Sequence, residues 1–172
     1  MHSVQKNTDA GSVKTASKHI YWLLTLVALV VMGDEWIKYE ALRQLPDEGS
    51  LVDPGLLAFG IHRNFGIAFN LPFRLELIIA VSILIGVGLL HISYKNYERQ
   101  PKITFATIMI VLGALGNMYD RLTYGFTVDY IILFGRSAIN FSDVVIVSGV
   151  VLLHVHSRQK RRDGLKRQVD IE

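Results

Sequence analysis

Four long apolar runs constrain this chain more than any other feature. Residues 20–33 read IYWLLTLVALVVMG and can continue as helix to Tyr39; 75–94 read LELIIAVSILIGVGLLHISY; 103–119 read ITFATIMIVLGALGNMY. A fourth run, 138–156, is polar only at its start, through Asn140, Ser142 and Asp143. At a rise of about 1.5 Å per residue, ~20 helical residues cross the ~30 Å hydrocarbon core of a bilayer. Each run is therefore a candidate span. With 51% hydrophobic and 19% charged residues over 172 positions and a mean hydropathy of +0.33, the chain holds too much apolar surface for a soluble domain of its size to bury. Basic residues ahead of the first run also fit a cleaved signal peptide, but no small-x-small cleavage pattern follows, so the run reads as a retained span. The absence of cysteine excludes disulfide scaffolds, thiolate metal sites and cysteine nucleophiles.

Four spans put both termini on one side, and the basic residues say which. Lys6, Lys14 and Lys18 precede the first span, Lys95, Arg99 and Lys102 fill the turn between the second and third, and Arg158, Lys160, Arg161, Arg162, Lys166 and Arg167 follow the fourth. By the positive-inside rule these ends are cytoplasmic, and segments 44–74 and 120–138 face outward. Basic clusters beside spans read as membrane flanks, so no nucleic-acid partner is expected. The outer segment 44–74 is punctuated by Pro46, Pro54, Gly55, Gly60, Gly66 and Pro72. Between these, 56–62 and 67–70 read as short strands of a small sheet resting on the outer leaflet. The polar ends, 1–17 and 157–172, read as frayed cytoplasmic tails around a single membrane domain, 18–156.

Ionisable groups at membrane depth cost at least ~2.5–3.5 kcal/mol each, so those present normally face a protein interior, a partner or water. Here they cluster. Asp34 and Lys38 lie one turn apart at the outer end of the first span, Asn117, Asp120 and Arg121 at the outer end of the third, Asp129 in the following connection, and Asn140 and Asp143 at the outer start of the fourth. Span alternation brings them all to one depth. Each also has a structural reading. Asp34 and Lys38 form a possible internal ion pair at i, i+4, and Asp120 beside Arg121 can simply fix a helix end. Asn117 and Asn140 can be interhelical hydrogen-bond glue. Asn140 can also cap the fourth helix, with Asp143 at its N3 position.

Asp129 resists such an explanation. It sits in the apolar stretch TVDYIILF with no basic neighbour in sequence, so it needs a partner brought by the fold or a raised pKa. Asp143 is the natural candidate. Two carboxyls sharing a site cannot easily both ionise, which leaves one as acid and one as base. Other chemistries lack their signatures: no span carries metal-ligand histidine spacing, His154 and His156 lie at the cytoplasmic end, and neither a Gly-x-Ser-x-Gly elbow nor a phosphate-binding glycine loop is present.

Five segments resemble, in order, the motifs of bacterial type II (lipoprotein) signal peptidases. These are DEWIK at 34–38, RNFGIAFN at 63–70, LGALGNMYDR at 112–121, TVDYI at 127–131 and INFSD at 139–143. The resemblance spans roughly 20–156. It implies an all-α membrane protein of four transmembrane helices with a small β-cradle on the extracytoplasmic side of the bacterial inner membrane. It further implies an aspartyl endopeptidase that removes signal peptides from diacylglyceryl-modified prolipoproteins, cutting N-terminal to the lipid-bearing cysteine. Carried over by position, the catalytic aspartates are Asp129 and Asp143; Asn64, Gly66, Asn117, Arg121 and Asn140 line or support the substrate site, and Asp34 and Lys38 support it. Relative to the family pattern, Glu35 stands for Gln, Leu112 for Gly, Tyr130 for Phe, Ile139 for Phe and Ser142 for Ala. The expected partners are the prolipoprotein and membrane lipids, with the protein a monomer and no metal or cofactor required. Two other classes, a small proton-coupled transporter and a non-catalytic scaffold binding helices through Gly86, Gly88 and Gly113, would use the same acids or glycines differently.

Overall fold

The computed structural model describes the backbone of residues 3–51, 55–66 and 73–169, and side chains within 22–51, 55–66 and 73–159. Among the described residues the chain forms four helices, α1 (Ser3–Gln44), α2 (Leu75–Asn96), α3 (Pro101–Tyr124) and α4 (Phe141–Val169). Three strands, β1 (Leu57–Asn64), β2 (Thr127–Leu133) and β3 (Ser137–Ile139), and a 3-10 turn at Glu48–Ser50 complete it. Three of the helical segments, Leu75–Asn96, Pro101–Tyr124 and Phe141–Gln159, are long and apolar enough to cross a membrane.

Central to the bundle is α3. It opens with Pro101 in its first turn, where the missing N–H costs nothing. It closes at Gly125, whose φ of 83° allows its N–H to return to the Arg121 carbonyl at 3.1 Å. Two glycines let α4 approach closely: a Cβ at Gly113 would lie 2.7 Å from the Ser142 carbonyl oxygen, and one at Gly149 would lie 3.0 Å from that of Ala106. Val31, Met109 and Val145 join α1, α3 and α4 in one apolar core. By contrast α2 buries only Ile78 and Ser93, and Leu84, Val87, Val147 and Val151 are exposed around the bundle. An apolar exterior of this kind suits lipid, not water.

The three strands form one antiparallel sheet in the order β1-β2-β3. Alternation along β2 divides its labour. Val128 and Tyr130 pack with Ala41 and Ile61 in a second core between α1 and the sheet, while Asp129 points to the opposite face, toward α3 and α4. The turn into β3 takes positive φ at Phe134 (53°) and Gly135 (61°), as a tight hairpin demands.

Three expectations change. The fourth helix starts at Phe141, not near 138, because Ser137–Ile139 pairs with β2 and Asn140 then caps the helix. Two of the three strands, β2 and β3, arise in and at the end of the 120–138 connection; in the outer segment, 56–62 is realised as part of β1, and 67–70 lies outside the described residues. The tails read as frayed carry helix from Ser3 and to Val169. Good helix formers such as Lys, Arg and Gln there sustain helix beyond the apolar runs.

Candidate active site

At the end of the bundle where the sheet sits, polar side chains from α1, α3, β1, β2 and α4 form one hydrogen-bonded network. Asn140 is held first by its own helix. Its side-chain oxygen accepts the Asp143 N–H at 2.9 Å, and its backbone N–H lies 3.4 Å from Asp143 Oδ2, a reciprocal capping box. With the carbonyl so engaged, the Asn140 amide points at β2 and donates to Asp129 Oδ1 at 2.7 Å. A bulge between Phe59 and His62 resets the β1 register so that Asn64 stands opposite Thr127, on the diagonal from Asp129. From there the Asn64 amide reaches Asp129 Oδ2 at 3.1 Å.

Asp143 is held from the other side. The Asn117 amide donates to Asp143 Oδ1 at 2.7 Å, and the Asn117 carbonyl oxygen lies 3.2 Å from the Asn140 amide. Asp129 and Asp143 are thus the two ends of a short relay through Asn140 and Asn117. Asp129 is 1% exposed. Burial, reinforced by the negative charge of Asp143, pushes its carboxyl up to about 7.

Beside this relay lies a cavity of about 500 Å³, lined by Asn64, Asn117, Arg121, Thr127 and Asp143 and closed by apolar residues that include Ile78, Ala114, Ile146 and Val147. Asp143 forms part of its wall, whereas Asp129 sits behind Asn64 and Asn140. Arg121 ties the cavity's rim together, donating from Nη1 to the Asn117 carbonyl at 3.2 Å and from Nη2 to the Gly66 carbonyl at 3.1 Å. Gly66 in turn donates its N–H to Asn64 Oδ1 at 3.1 Å.

Beneath the relay, Lys38 is fully buried among three carboxylates. Its Nζ lies 2.8 Å from Glu35 Oε1, 2.8 Å from Asp120 Oδ2 and 3.3 Å from Asp34 Oδ2, with Asn117 Oδ1 at 3.4 Å. Asp120 also accepts the Val128 N–H at 3.1 Å, which anchors β2 to α3.

All nine residues singled out in the sequence meet in this network. Three others join them. Asp120, read as a helix-end residue, is fully buried and paired with Lys38 from within α3. Glu35, which stands where the family pattern has Gln, turns inward, and its i, i+3 spacing to Lys38 is the sequence signal for that contact. Thr127 joins the cavity wall through β2, and no sequence pattern marked it.

A multispan membrane protein with two carboxylates linked by amides, one of them on the wall of a largely apolar cavity, has the make-up of an intramembrane aspartyl peptidase. Comparisons with known proteins fix the family. The family model for signal peptidase (SPase) II matches residues 26–158, and the chain belongs to that family of aspartyl endopeptidases. It is 30% identical to a lipoprotein signal peptidase of Neisseria meningitidis serogroup C over 169 residues, covering 90% of this chain and 99% of that protein. Against a lipoprotein signal peptidase of Chlorobaculum parvum it is 34% identical, covering 77% and 91%. A bacterial membrane enzyme solved in meso at 2.3 Å resolution shares the fold, with a TM-score of 0.69 and 24% identity over 82% of this chain and 90% of that one. A second, solved at 1.9 Å, gives a TM-score of 0.63 at 26% identity, covering 78% and 91%. The activity is that of a lipoprotein signal peptidase.

Proposed function

We propose that Asp129 and Asp143 are the catalytic pair of this peptidase, and that its substrate is a diacylglyceryl-modified prolipoprotein cut N-terminal to the lipid-bearing cysteine. The observation that carries the assignment is the relay itself. Two carboxylates from different elements are held by Asn140 and Asn117, with Asp143 on the cavity wall and Asp129 directly behind it. Asp129, the more deeply buried, holds the proton of the pair. Asp143, on the cavity wall, draws a proton from water as that water attacks the scissile carbonyl, and the other carboxyl donates to the carbonyl oxygen. The protonated Asp143 then gives its proton to the departing nitrogen as the C–N bond breaks, while Asp129 recovers a proton from the intermediate's hydroxyl, so acid and amine leave without an acyl-enzyme.

The remaining network residues orient and hold. Asn64, Gly66, Asn117, Arg121 and Asn140 line or brace the cavity, and Asp34 and Lys38 secure the helix ends behind it. The apolar cavity wall on α2, α3 and α4 suits a signal helix and lipid chains. The basic flanks support a reading in which both termini are cytoplasmic in a bacterial inner-membrane protein and the site lies at the outer face. In this reading 18–156 is a single peptidase unit between a polar 1–17 and a basic 157–172, and it acts as a monomer among membrane lipids.

The test is cleavage of a lipid-modified precursor by Asp129→Asn and Asp143→Asn proteins whose helix content is unchanged by circular dichroism. Both variants are expected to lose turnover by at least ~10³-fold, the scale on which removal of an acid or base reduces catalysis. Appreciable turnover by either overturns the assignment.

A further inference from the structure

The carboxylate of Asp34 is buried at the end of α1 nearest the site, and donors from two other elements converge on it. Its Oδ1 accepts the Tyr130 hydroxyl at 2.7 Å and the Phe141 N–H at 3.1 Å. Its Oδ2 accepts the Ser142 N–H at 2.9 Å and the Ser142 hydroxyl at 2.6 Å, with Lys38 farther off at 3.3 Å. Two of these donors are backbone groups of the first turn of α4. A carboxylate on α1 therefore satisfies the exposed N–H groups at the start of the helix that carries Asp143. Where Asp34 sits decides where that first turn sits.

Lys38, one turn from Asp34, gives its shortest contacts to other acids. Glu35 and Asp120 each lie at 2.8 Å, and an ammonium has only three protons to share. Glu35 competes directly with Asp34 for this cation. The Tyr130 and Ser142 hydroxyls supply hydrogen bonds that keep Asp34 seated with Lys38 drawn away. Gly116 makes the arrangement possible. A Cβ on it would lie 2.6 Å from Ser142 Oγ and 3.0 Å from Glu35 Oε1, so both side chains occupy the gap left beside α3.

We propose that Glu35, Tyr130 and Ser142 form one coupled positioning unit, in which Glu35 takes Lys38 from Asp34 and the two hydroxyls hold Asp34, and through it the first turn of α4 and Asp143, in place. None of the three touches a reacting atom; their influence on rate passes through Asp34 and the start of α4. The proposal rests on the reading of Asp143 as a catalytic residue. It has a specific consequence: the hydroxyls matter while residue 35 is an acid, and lose their importance once it is not.

The experiment measures kcat and KM separately for cleavage of a lipid-modified precursor by the full-length protein in lipid–detergent micelles. The four proteins are the wild type, Tyr130→Phe/Ser142→Ala, Glu35→Gln, and the triple variant. Losing both hydroxyls in the wild-type background is expected to lower kcat about tenfold, within the range for neighbours in one hydrogen-bond network. In the Glu35→Gln background the same pair of changes is expected to alter kcat by less than about twofold, with KM unmoved within about twofold throughout. An equal loss in both backgrounds, no loss in either, or a loss carried by KM overturns the proposal. Should the double variant fail to fold by circular dichroism, Tyr130→Phe alone is compared across the same two backgrounds, and the same outcomes decide. Asp143→Asn is run alongside: residual turnover there sinks the catalytic pair, whereas the cycle reads the coupling itself.

Discussion

Asn140 places its side-chain amide 2.7 Å from Asp129 Oδ1. The same side chain caps α4 by accepting the Asp143 N–H at 2.9 Å, so one residue serves both carboxylates, each through a different atom. The two roles are separable by substitution. Asn140→Asp keeps the capping oxygen but replaces the donor with a second acceptor facing Asp129. Asn140→Ala removes both. We predict that each variant lowers kcat by about 100-fold, the scale of a misplaced catalytic group. Loss of the cap costs about 1 kcal/mol of stability and is expected for Asn140→Ala alone. Steady-state kinetics beside thermal unfolding in detergent distinguishes the two, and wild-type turnover by Asn140→Asp would show that the amide bridge is idle.

Asp129 gives the protein a pH dependence of defined sign. Its carboxyl is raised from 3.8 to about 7, first by burial and then by the charge of Asp143. Between those values the folded state holds a proton that the unfolded chain has released, so the contribution to stability is complete below about 4 and is lost as pH rises through about 7. The slope is at most about 1.4 kcal/mol per pH unit for one proton. Unfolding of the wild type followed from pH 5 to 8 is expected to show Tm falling across this window, with a smaller fall in Asp129→Asn. Activity is expected to decline on the alkaline side of about 7 as well, because the pair then loses the proton it shares.

Much of this architecture was legible in the sequence because a bilayer makes polarity expensive. The four helices follow from the apolar runs, and the site follows from Asp34, Lys38, Asn117, Arg121, Asn140 and Asp143 appearing at matching span ends. The cap at Asn140 was legible for a local reason, a short amide three residues before a carboxylate. Strands β2 and β3 were not. TVDYIIL is buried on both faces of the sheet at most positions, so it lacks the alternation that marks a strand and blends into the neighbouring span. Nor was Asp120 recognisable as a partner of Lys38, since that contact depends on how α1 packs against α3 and no spacing along the chain encodes it, whereas the i, i+3 spacing of Glu35 to Lys38 was there to be read.

The glycines divide into two kinds, which bears on whether they serve packing inside the bundle or binding to other helices. A Cβ at Gly113 would meet the Ser142 carbonyl oxygen at 2.7 Å and Ile146 Cγ1 at 2.8 Å, whereas Gly86 and Gly88 have nothing within 4 Å. Gly113→Ala is therefore expected to push α4 off α3, destabilising by about 1–3 kcal/mol and lowering kcat as Asp143 shifts. Gly86→Ala and Gly88→Ala are expected to be neutral or to stabilise by up to ~1 kcal/mol through helix propensity. Thermal unfolding of the three variants checks this directly, and a Gly113→Ala protein as stable as wild type would contradict the close α3–α4 contact.

Arg121 offers the sharpest probe of how the cavity rim is held. One guanidinium spans two elements, reaching the Asn117 carbonyl on its own helix and the Gly66 carbonyl beyond β1. Gly66 fixes Asn64, and Asn64 donates to Asp129, so the grip of Arg121 extends to a carboxylate it does not touch. A lysine keeps the positive charge facing Asp129 and Asp143 but presents a single ammonium in place of a planar fork, and cannot hold both carbonyls in the same geometry. Arg121→Lys is accordingly expected to lower kcat/KM by about 10- to 100-fold, as small displacements at a site do, while Tm changes little because the helix bundle beneath is untouched. If charge alone mattered, the lysine variant would cleave at the wild-type rate and Arg121→Gln would not; if the fork matters, both fall together.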